Sequence, residues 1–468
     1  MTHRMEHDLI GEKQIPHGAY YGVQTLRASE NFDISGVTLS NFSTFIASLA
    51  KVKKAAALAN YKLELLDEKR KEAICQACDE IIAGEFHDQF IVDMIQGGAG
   101  TSTNMNANEV IANRALEILG YEKGEYNYLH PNNHVNLSQS TNDAYPTALR
   151  ITLYEKIFEL IDSMKVLENA FKQKSIEFND VIKMGRTQLQ DAVPMTLGQE
   201  FNTYVTMIRE DMERLREAQQ LVREINLGAT AIGTGINSHP KYVLVVEEKL
   251  QEVTGRPFVT AKDLVEATQD TGAYVQISGV LKRVATKISK ICNDLRLLSS
   301  GPRTGFNEIN LPAMQPGSSI MPGKVNPVIP EVVNQVAFQV IGSDVTITMA
   351  CEGGQLQLNV FEPVIAYNLF KSINMMKNAF ETLANKCVIG ITANEQRCQN
   401  MVLNSIGLVT ALNPFIGYEN STSVAKEALE SGLSVYEIVL ERGLLEQEEL
   451  DEIIKPENMI KPREYKRK

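Results

Sequence analysis

The hydrophobic pattern of the chain predicts long helices. Apolar residues recur at alternating steps of four and three in two stretches: Ile277, Leu281, Val284, Ile288, Ile291, Leu295 and Leu298; and Leu153, Ile157, Leu160, Met164, Leu167 and Phe171. This spacing puts the side chains of each set on one stripe of a helix. Because such a stripe must be covered by other helices, the pattern predicts a helix bundle.

The rest of the chain fits a mainly α fold. Strand-like alternation is scarce, and further helical stretches are predicted at about 197–225, 328–350 and 364–386. The apolar stripes are longer than one small domain needs, so we expect a homo-oligomer that shares its bundle.

Three domains are predicted, with soft boundaries. Residues 1–140 form an N-terminal helical domain with many loops, 141–394 a central helix-bundle domain, and 395–468 a small C-terminal helical domain. The basic run 461–468 at its end is predicted to be a solvated tail.

Charge and hydropathy exclude several classes of function. The formal net charge is -12 and the pI is about 5.3, which argues against nucleic acid as a partner because phosphate binding needs a basic face. A small anionic substrate remains compatible with this charge, because the basic residues around a binding site determine whether an anion binds there. No apolar run reaches the roughly 18 residues that span a bilayer, and the polar start lacks a signal-peptide core. We therefore expect a cytoplasmic protein without a membrane partner.

The cysteines predict neither a disulfide framework nor a metal site. Six cysteines are few for a chain of 468 residues. Cys75 and Cys78 form a CxxC motif, but they lie in a helical stretch at about 69–83 without a second pair or a nearby histidine. Buried helix residues are the better interpretation, and no metal ligand set is predicted.

Four polar, glycine-rich loops interrupt the helices, at residues 97–104, 138–143, 185–188 and 317–327. Taken singly, each of the first three is better explained by helix capping and tight turns than by a binding function. Nucleotide-binding motifs fail on spacing, because no GxGxxG follows a strand and Gly323-Lys324 lacks the preceding Walker pattern.

The fourth loop indicates chemistry. Pro316-Gly317 and Pro322-Gly323 give it a turn near each end, which is typical of a flap that can move. Asn326-Pro327 predicts a helix N-cap followed by proline at the first helical position, and the free N–H groups there would favour an anion beside Lys324. The adjacent serines suggest a base or an oxyanion donor. A serine hydroxyl acts as a base only where the site strongly favours its ionised form.

The sequence GSSIMPGKVNP at 317–327 resembles the signature of the aspartase/fumarase superfamily. Three further segments resemble that family's shared segments in the same order: GTSTNMNANEV at 100–110, VNLSQSTND at 135–143 and GTGIN at 233–237. The similarity runs from about Asp8 to the last helices. Three others are more similar to the aspartase branch than to fumarase: YYGVQTLRA at 20–28, PEVVNQV at 330–336 and QLQLN at 355–359.

The resemblance implies a fold, an assembly and an activity. The fold has three domains with a central bundle of long helices, which merges with its copies in a homotetramer, and three subunits build each active site. The activity is the reversible elimination of ammonia from L-aspartate to give fumarate, without a metal or organic cofactor. Ser318 would be the base that removes the C3 proton.

The resemblance also assigns the substrate contacts. Four hydroxyl groups would hold the carboxylate that becomes an aci-carboxylate dianion, those of Thr101, Ser140, Thr141 and Ser319. The other carboxylate would bind Thr187, Lys324 and Asn326, and the amino group would bind Asn142 with Thr101. Met321 is expected to line the pocket. Loss of one donor to a developing oxyanion typically costs about 10²–10³ in rate, so hydroxyls from separate loops suit this chemistry.

One position departs from the family pattern as we interpret it. Histidine is expected after GRT, whereas this chain has Gln188. Glutamine can hydrogen-bond a carboxylate or amine but carries no charge and relays no proton at neutral pH. We hypothesise a variant with weakened aspartate turnover or an altered amine or substrate preference. Arg186 beside it is expected to be structural rather than a substrate clamp.

Two other interpretations of the function stay open. The chain could be another enzyme of the superfamily, either a fumarase-type hydratase or a lyase for a larger succinyl-linked amine. It could also be a structural or ligand-binding oligomer that has kept the fold and lost turnover, for which Gln188 is the only support.

Overall fold

The fold is seen in a computed structural model that describes residues 3–462 and 464. The last part of the predicted solvated tail, residue 463 and residues 465–468, lies outside the described residues. The mainly helical prediction is confirmed.

The strands of the described residues are short and pair two by two. Three pairs are antiparallel: β1 (His3–Asp8) with β2 (Gly11–Pro16), β3 (Ile182–Thr187) with β4 (Gln190–Thr196), and β7 (Ile309–Asn310) with β8 (Thr392–Ala393). One pair is parallel, β5 (Glu224–Ile225) with β6 (Val259–Thr260).

Helices make up most of the remainder. The first four are α1 (Val23–Asn31), α2 (Ser43–Lys62), α3 (Glu68–Ile82) and α4 (Thr101–Ile118). The middle of the chain contains α5 (Thr141–Glu177), α6 (Leu197–Leu221), α7 (Tyr242–Thr254), α8 (Leu264–Ala267), α9 (Gly272–Leu298), α10 (Val328–Glu352) and α11 (Glu362–Lys386). The last helices are α12 (Glu395–Leu403), α13 (Val409–Ile416), α14 (Tyr418–Ser431), α15 (Val435–Glu441), α16 (Gln447–Ile453) and α17 (Pro456–Met459).

The predicted apolar stripes are buried as expected. All seven stripe residues of α9 and all six of α5 are at most 5% exposed. The predicted helices at 328–350 and 364–386 are confirmed as α10 and α11, with ends within two residues. The helix predicted at 197–225 ends earlier, at Leu221, because residues 224–225 pair with β6 instead.

The chain forms two compact units. The first comprises Met1–Ile161, Glu213–Arg283 and Gln339–Met375, and the second comprises Asp162–Met212, Val284–Phe338 and Met376–Lys468. The two predicted domain boundaries coincide with the starts of α5 and α12, and the division into three domains stays a prediction.

Each unit has an aromatic centre. In the first, Phe45 lies 5.4 Å from Tyr145 and 5.2 Å from Phe370, measured between ring centroids. In the second, Phe171 lies 5.3 Å from Tyr204 and 5.9 Å from Phe201. Such edge-on and tilted contacts add to the burial of apolar area that stabilises each core.

The CxxC motif lies inside α3, which confirms the helical prediction. Cys78 is buried and Cys75 half-buried, and burial raises the pKa of the Cys75 thiol to about 11. Burial also raises the pKa of the Cys78 thiol well above its ordinary value, so both thiols are protonated at neutral pH. Within residues 3–462 and 464, none of the helices combines the length and apolar character that a membrane crossing requires. The cytoplasmic location stays a prediction.

Candidate active site

Two predicted site residues are the first residues of long helices. Thr101 begins α4 and Thr141 begins α5. Gly100 precedes α4 with a φ of 89°, and a Cβ there would lie 2.3 Å from the Tyr145 ring, so the position requires glycine. Asn104 Nδ2 donates to Thr141 Oγ1 at 3.2 Å, which brings the two helix starts together. Because helix N-termini carry partial positive charge, this pair of ends favours an anion.

The side chains at these helix starts offer both donors and acceptors. Ser140 Oγ accepts from the Asn142 backbone N–H at 3.2 Å, so its proton remains available to a carboxylate. Thr101 Oγ1 donates to the Gly98 carbonyl at 2.8 Å, which leaves it as an acceptor. Asn142 Nδ2 donates to the Ala231 carbonyl at 2.7 Å, so its Oδ1 can accept. Thr101 and Asn142 therefore suit an amino group.

A buried carboxylate holds the start of α5 to the segment that carries GTGIN. Asp143 is 0% exposed, and its carboxylate accepts backbone N–H groups of Ser140, Gly228 and Thr230 at 2.9, 3.1 and 2.9 Å. Burial raises the pKa of Asp143 to about 6, whereas these hydrogen bonds favour the ionised form. The carboxylate fixes the backbone on which Ser140 and Asn142 stand.

Lys53 lies behind the same helix starts and was missed in the sequence. It is 0% exposed, and its Nζ donates to amide oxygens of Asn104, Asn136 and Gln139 at 2.6, 2.9 and 2.9 Å. Burial lowers the pKa of Lys53 to about 7, and nearby Asp143 opposes that shift. Three acceptors match the three N–H donors of an ammonium.

A periodic signal could have found Lys53. Ile46, Leu49, Lys53 and Ala56 follow steps of three, four and three, and all four are buried on one stripe of α2.

Thr187 and Gln188 lie at the tip of the β3–β4 hairpin. Thr187 pairs with Gln190, so Gln188 and Leu189 form a two-residue turn, with φ values of 54° and 63°. Two successive positive φ angles are typical of a type I′ turn, which usually contains Asn or Gly. Leu189 is 67% exposed. A bulky apolar residue in this conformation carries strain, which is concentrated beside the predicted substrate contacts.

Arg186 stands just before this tip and is held by a buried carboxylate. Its guanidinium lies 2.6 Å from Glu308 Oε1 and stacks over the Phe306 ring at 4.2 Å. Lys183 Nζ lies 3.0 Å from Glu308 Oε2, and the Glu308 side chain is fully buried. This geometry agrees with a structural role for Arg186.

The serine predicted as the base has a distinctive environment. Ser318 Oγ accepts the backbone N–H groups of Ile320 at 3.2 Å and Met321 at 3.0 Å. Two N–H donors aimed at one hydroxyl oxygen stabilise its ionised form, which is the anion-favouring condition that a serine base requires. Ser318 itself is half-buried, while Ser319 and Met321 are exposed.

Hydrogen bonds across its base hold the 317–327 loop in shape. The Gly317 N–H donates to the Lys324 carbonyl at 2.8 Å, and Asn326 Nδ2 donates to the Gly317 carbonyl at 2.7 Å. The prediction of proline at the first helical position was wrong, because α10 begins at Val328, one residue after Pro327. The Asn326 amide instead closes the loop. The Lys324 side chain is exposed.

The structure thus sorts the predicted residues into three groups. Thr101, Ser140, Thr141 and Asn142 come together at two helix starts in the first unit. Thr187 and Gln188 share a hairpin tip, and Ser318, Ser319, Met321, Lys324 and Asn326 share a loop, both in the second unit. Among the described residues, no hydrogen bond joins the hairpin tip to the loop.

A serine hydroxyl under two N–H donors, and helix starts rich in hydroxyls, suit chemistry that removes a proton beside a carboxylate. The chain belongs to the family described as Lyase, which matches residues 11–342. Residues 408–461 match the family described as the fumarase C C-terminus.

Relatives match over nearly the whole chain. Aspartate ammonia-lyase of Helicobacter pylori is 67% identical, with 99% of each chain covered. Aspartate ammonia-lyase of Pseudomonas fluorescens is 62% identical, covering 98% of this chain and 96% of that protein. A crystal structure of fumarate lyase:delta crystallin from Brucella melitensis has a TM-score of 0.96 and 54% identity, covering 98% of this chain and all of the other.

Proposed function

We propose that this chain is a carbon–nitrogen lyase that reversibly eliminates ammonia from L-aspartate to give fumarate. The observation that carries the proposal is the pair of backbone N–H groups of Ile320 and Met321 that point at Ser318 Oγ. They favour the alkoxide, and an alkoxide is a strong enough base to remove a proton from a carbon beside a carboxylate.

The reaction proceeds in two steps. Ser318 Oγ takes the proton from C3, and the electron pair of that C–H bond moves into the adjacent carboxylate, which becomes an aci-carboxylate dianion. The electrons then return to form the C2–C3 double bond as the C2–N bond breaks. Ammonia leaves, and fumarate remains.

The helix starts of α4 and α5 stabilise the dianion. Ser140 and Thr141 keep hydroxyl protons that can be donated to it, and Ser319 adds a third from the loop. Two helix N-termini favour the same charge. These donors stabilise the dianion more strongly than the substrate carboxylate, and this difference is what accelerates the reaction.

The remaining contacts orient the substrate. Thr187, Lys324 and Asn326 bind the second carboxylate, and Asn142 and Thr101 accept from the amino group. Holding both ends of the substrate fixes C3 against Ser318. Met321 lines the pocket, Gln188 contacts the substrate from the hairpin tip, and no metal or organic cofactor takes part.

We further propose a homotetramer in which three subunits build each active site. The exposed face of α10 supports this assembly. Phe338, Val345 and Met349 are 62%, 59% and 69% exposed, and with Gly342 between them they follow steps of four, three and four along one stripe. An exposed apolar stripe on a helix of this length is typical of a face that other helices cover.

The test is a fumarate absorbance assay on the purified chain with aspartate, malate and argininosuccinate. Fumarate from aspartate alone is expected. Ser318→Ala should lower kcat by about 10³ or more, because both the base and its polarised oxygen are lost. Ser431→Ala, which removes an exposed hydroxyl at the end of α14, is the matched control and should keep full activity.

Three results would contradict the proposal. Full activity of Ser318→Ala would exclude that residue as the base. Fumarate from malate or argininosuccinate, without turnover of aspartate, would assign a hydratase or a lyase for a larger amine. Bound aspartate without any fumarate would indicate a binding oligomer.

A further inference from the structure

Lys53 is a buried lysine that the reaction described above does not use. Burial lowers its pKa to about 7, but the three acceptor oxygens around its Nζ match the three N–H groups of the ammonium form and favour it. The side chain rises from α2 and is 0% exposed. Its three N–H groups meet three neutral amide oxygens, on Asn104 of α4 and on Asn136 and Gln139 of the segment before α5.

Within residues 3–462 and 464, no carboxylate forms an ion pair with this ammonium. The titratable groups that face it are Asp143 of α5 and Cys78 of α3, which act on it only over a longer range. The Asp143 carboxylate is occupied by backbone N–H groups. Burying a charge without a direct counter-ion is costly, so amides satisfy the hydrogen bonds of Lys53 but leave its charge uncompensated.

We propose that Lys53 is a positioning residue for the elimination, whose ammonium aligns the Thr141 hydroxyl through Asn104 and supplies fixed positive charge behind the developing dianion. This inference rests on the proposed function. It adds a residue that touches neither substrate nor base and acts through the donors that do.

The alignment follows from two consecutive hydrogen bonds. Lys53 Nζ lies 2.6 Å from Asn104 Oδ1, and Asn104 Nδ2 lies 3.2 Å from Thr141 Oγ1. A cation on the oxygen of an amide polarises the group and strengthens its N–H donors. The amide therefore occupies a lone pair of the Thr141 oxygen and leaves the hydroxyl proton to be donated to the substrate.

The same ammonium also connects α2 and α4 to the segment before α5, whose relative positions set the geometry of the substrate donors. Asn136 Oδ1 accepts from Lys53, from Asn104 Nδ2 at 3.1 Å and from Asn108 Nδ2 at 3.2 Å. Gln139, which directly precedes Ser140, accepts from Lys53 as well. Lys53 thus connects α2 and α4 to the segment that carries the carboxylate donors.

A fixed charge acts more strongly on the dianion than on the substrate carboxylate. The carboxylate carries one negative charge before the proton leaves and two afterwards. The interaction with Lys53 therefore grows on the way to the transition state, which predicts an effect on kcat rather than on KM.

The decisive variant is Asn136→Asp, which separates charge from anchoring. It keeps the oxygen that accepts from Lys53, and it replaces the 3.2 Å bond from Asn136 Nδ2 to the Gln139 carbonyl by a contact between two oxygens. The new carboxylate pairs with the ammonium, so the anchor is kept while the positive potential is cancelled. If Lys53 had only a structural role, this change would leave kcat unaltered.

We expect Asn136→Asp to remain folded, with kcat at least about tenfold lower. KM for aspartate and inhibition by succinate, which carries both carboxylates and cannot react, should change by less than about threefold. The control is Lys54→Met, which removes the next positive charge along α2, one that pairs with Asp79 at 2.6 Å. It should match the parent chain in kcat.

Lys53→Gln provides the second measurement if Asn136→Asp does not fold. The loss of kcat with retained succinate inhibition supports the proposal in either variant. A folded variant of either kind with the parent kcat overturns it, and so does a loss of the same size in Lys54→Met. A parent chain that forms no fumarate refutes the proposed function itself, whereas an active parent with unchanged variants refutes only the role of Lys53.

Discussion

The buried carboxylate of Glu308 allows a quantitative prediction about the arm that carries Thr187. Its side chain is 0% exposed and meets two cations, Arg186 at 2.6 Å and Lys183 at 3.0 Å, whose side chains are 13% and 3% exposed. Replacing Glu308 by Gln leaves both cations without the charge that compensates their desolvation. Breaking a buried pair in this way typically costs about 3–5 kcal/mol.

The other contacts of Lys183 and Arg186 put the expected loss of unfolding free energy at the lower end of this range. Lys183 keeps Glu200 at 2.5 Å, and Arg186 keeps the Phe306 ring. We therefore expect Glu308→Gln to lower the free energy of unfolding by about 3 kcal/mol, which is roughly a hundredfold more unfolded chain. Because Thr187 directly follows Arg186, KM for aspartate should also rise.

The assay is urea unfolding followed by circular dichroism at one fixed protein concentration, since association would otherwise shift the midpoint. Glu200→Gln is the matched control. It removes the other partner of Lys183, but Glu200 is 20% exposed and Lys183 keeps Glu308, so a loss of about 1 kcal/mol is expected. If Glu308→Gln cost no more than Glu200→Gln, the reasoning from burial would be refuted.

Two further predictions concern single residues. Gln188→His should raise kcat/KM for aspartate if the glutamine weakens turnover, and equal rates in the fumarate assay would defeat that hypothesis. Burial raises the pKa of Glu362 from its ordinary 4.5 to about 8, although Arg150 opposes the shift. The folded chain then holds a proton that the unfolded chain has released, so stability falls as pH rises from about 4.5 to about 8. Glu362→Gln should remove that part of the decline, and parallel curves of unfolding free energy against pH would contradict it.

The local pattern was sufficient for the long helices α5, α9, α10 and α11, whereas α2 and α4 were not predicted. The stripes of α5 and α9 follow from periodicity, because every fourth or third residue returns to one side of a helix regardless of what covers it. The predicted ends of helices were less accurate. α6 stops at Leu221 because residues 224–225 pair with a strand more than thirty residues further along the chain, and a local pattern contains no information about such a partner.

The candidate site was predicted through its motifs, and the structure added the physical reasons. The serine loop was recognisable from its turns and its resemblance, but only the folded loop shows two N–H groups directed at Ser318 Oγ. Arg186 was predicted to be structural, and the buried Glu308 carboxylate beside it supplies the physical reason for that role. That contact joins residues more than a hundred positions apart.

What the sequence determined by itself is the long helices of the predicted bundle, the family motifs and the chemical character of each loop, since these depend on neighbouring residues. What the tertiary structure decided is the charge environment. Lys53 stands among lysines in the sequence, yet folding buries it against amides from two distant segments. Burial and long-range hydrogen bonds determine which charges are solvated and which act on a substrate, and both arise only when segments far apart in the chain pack together.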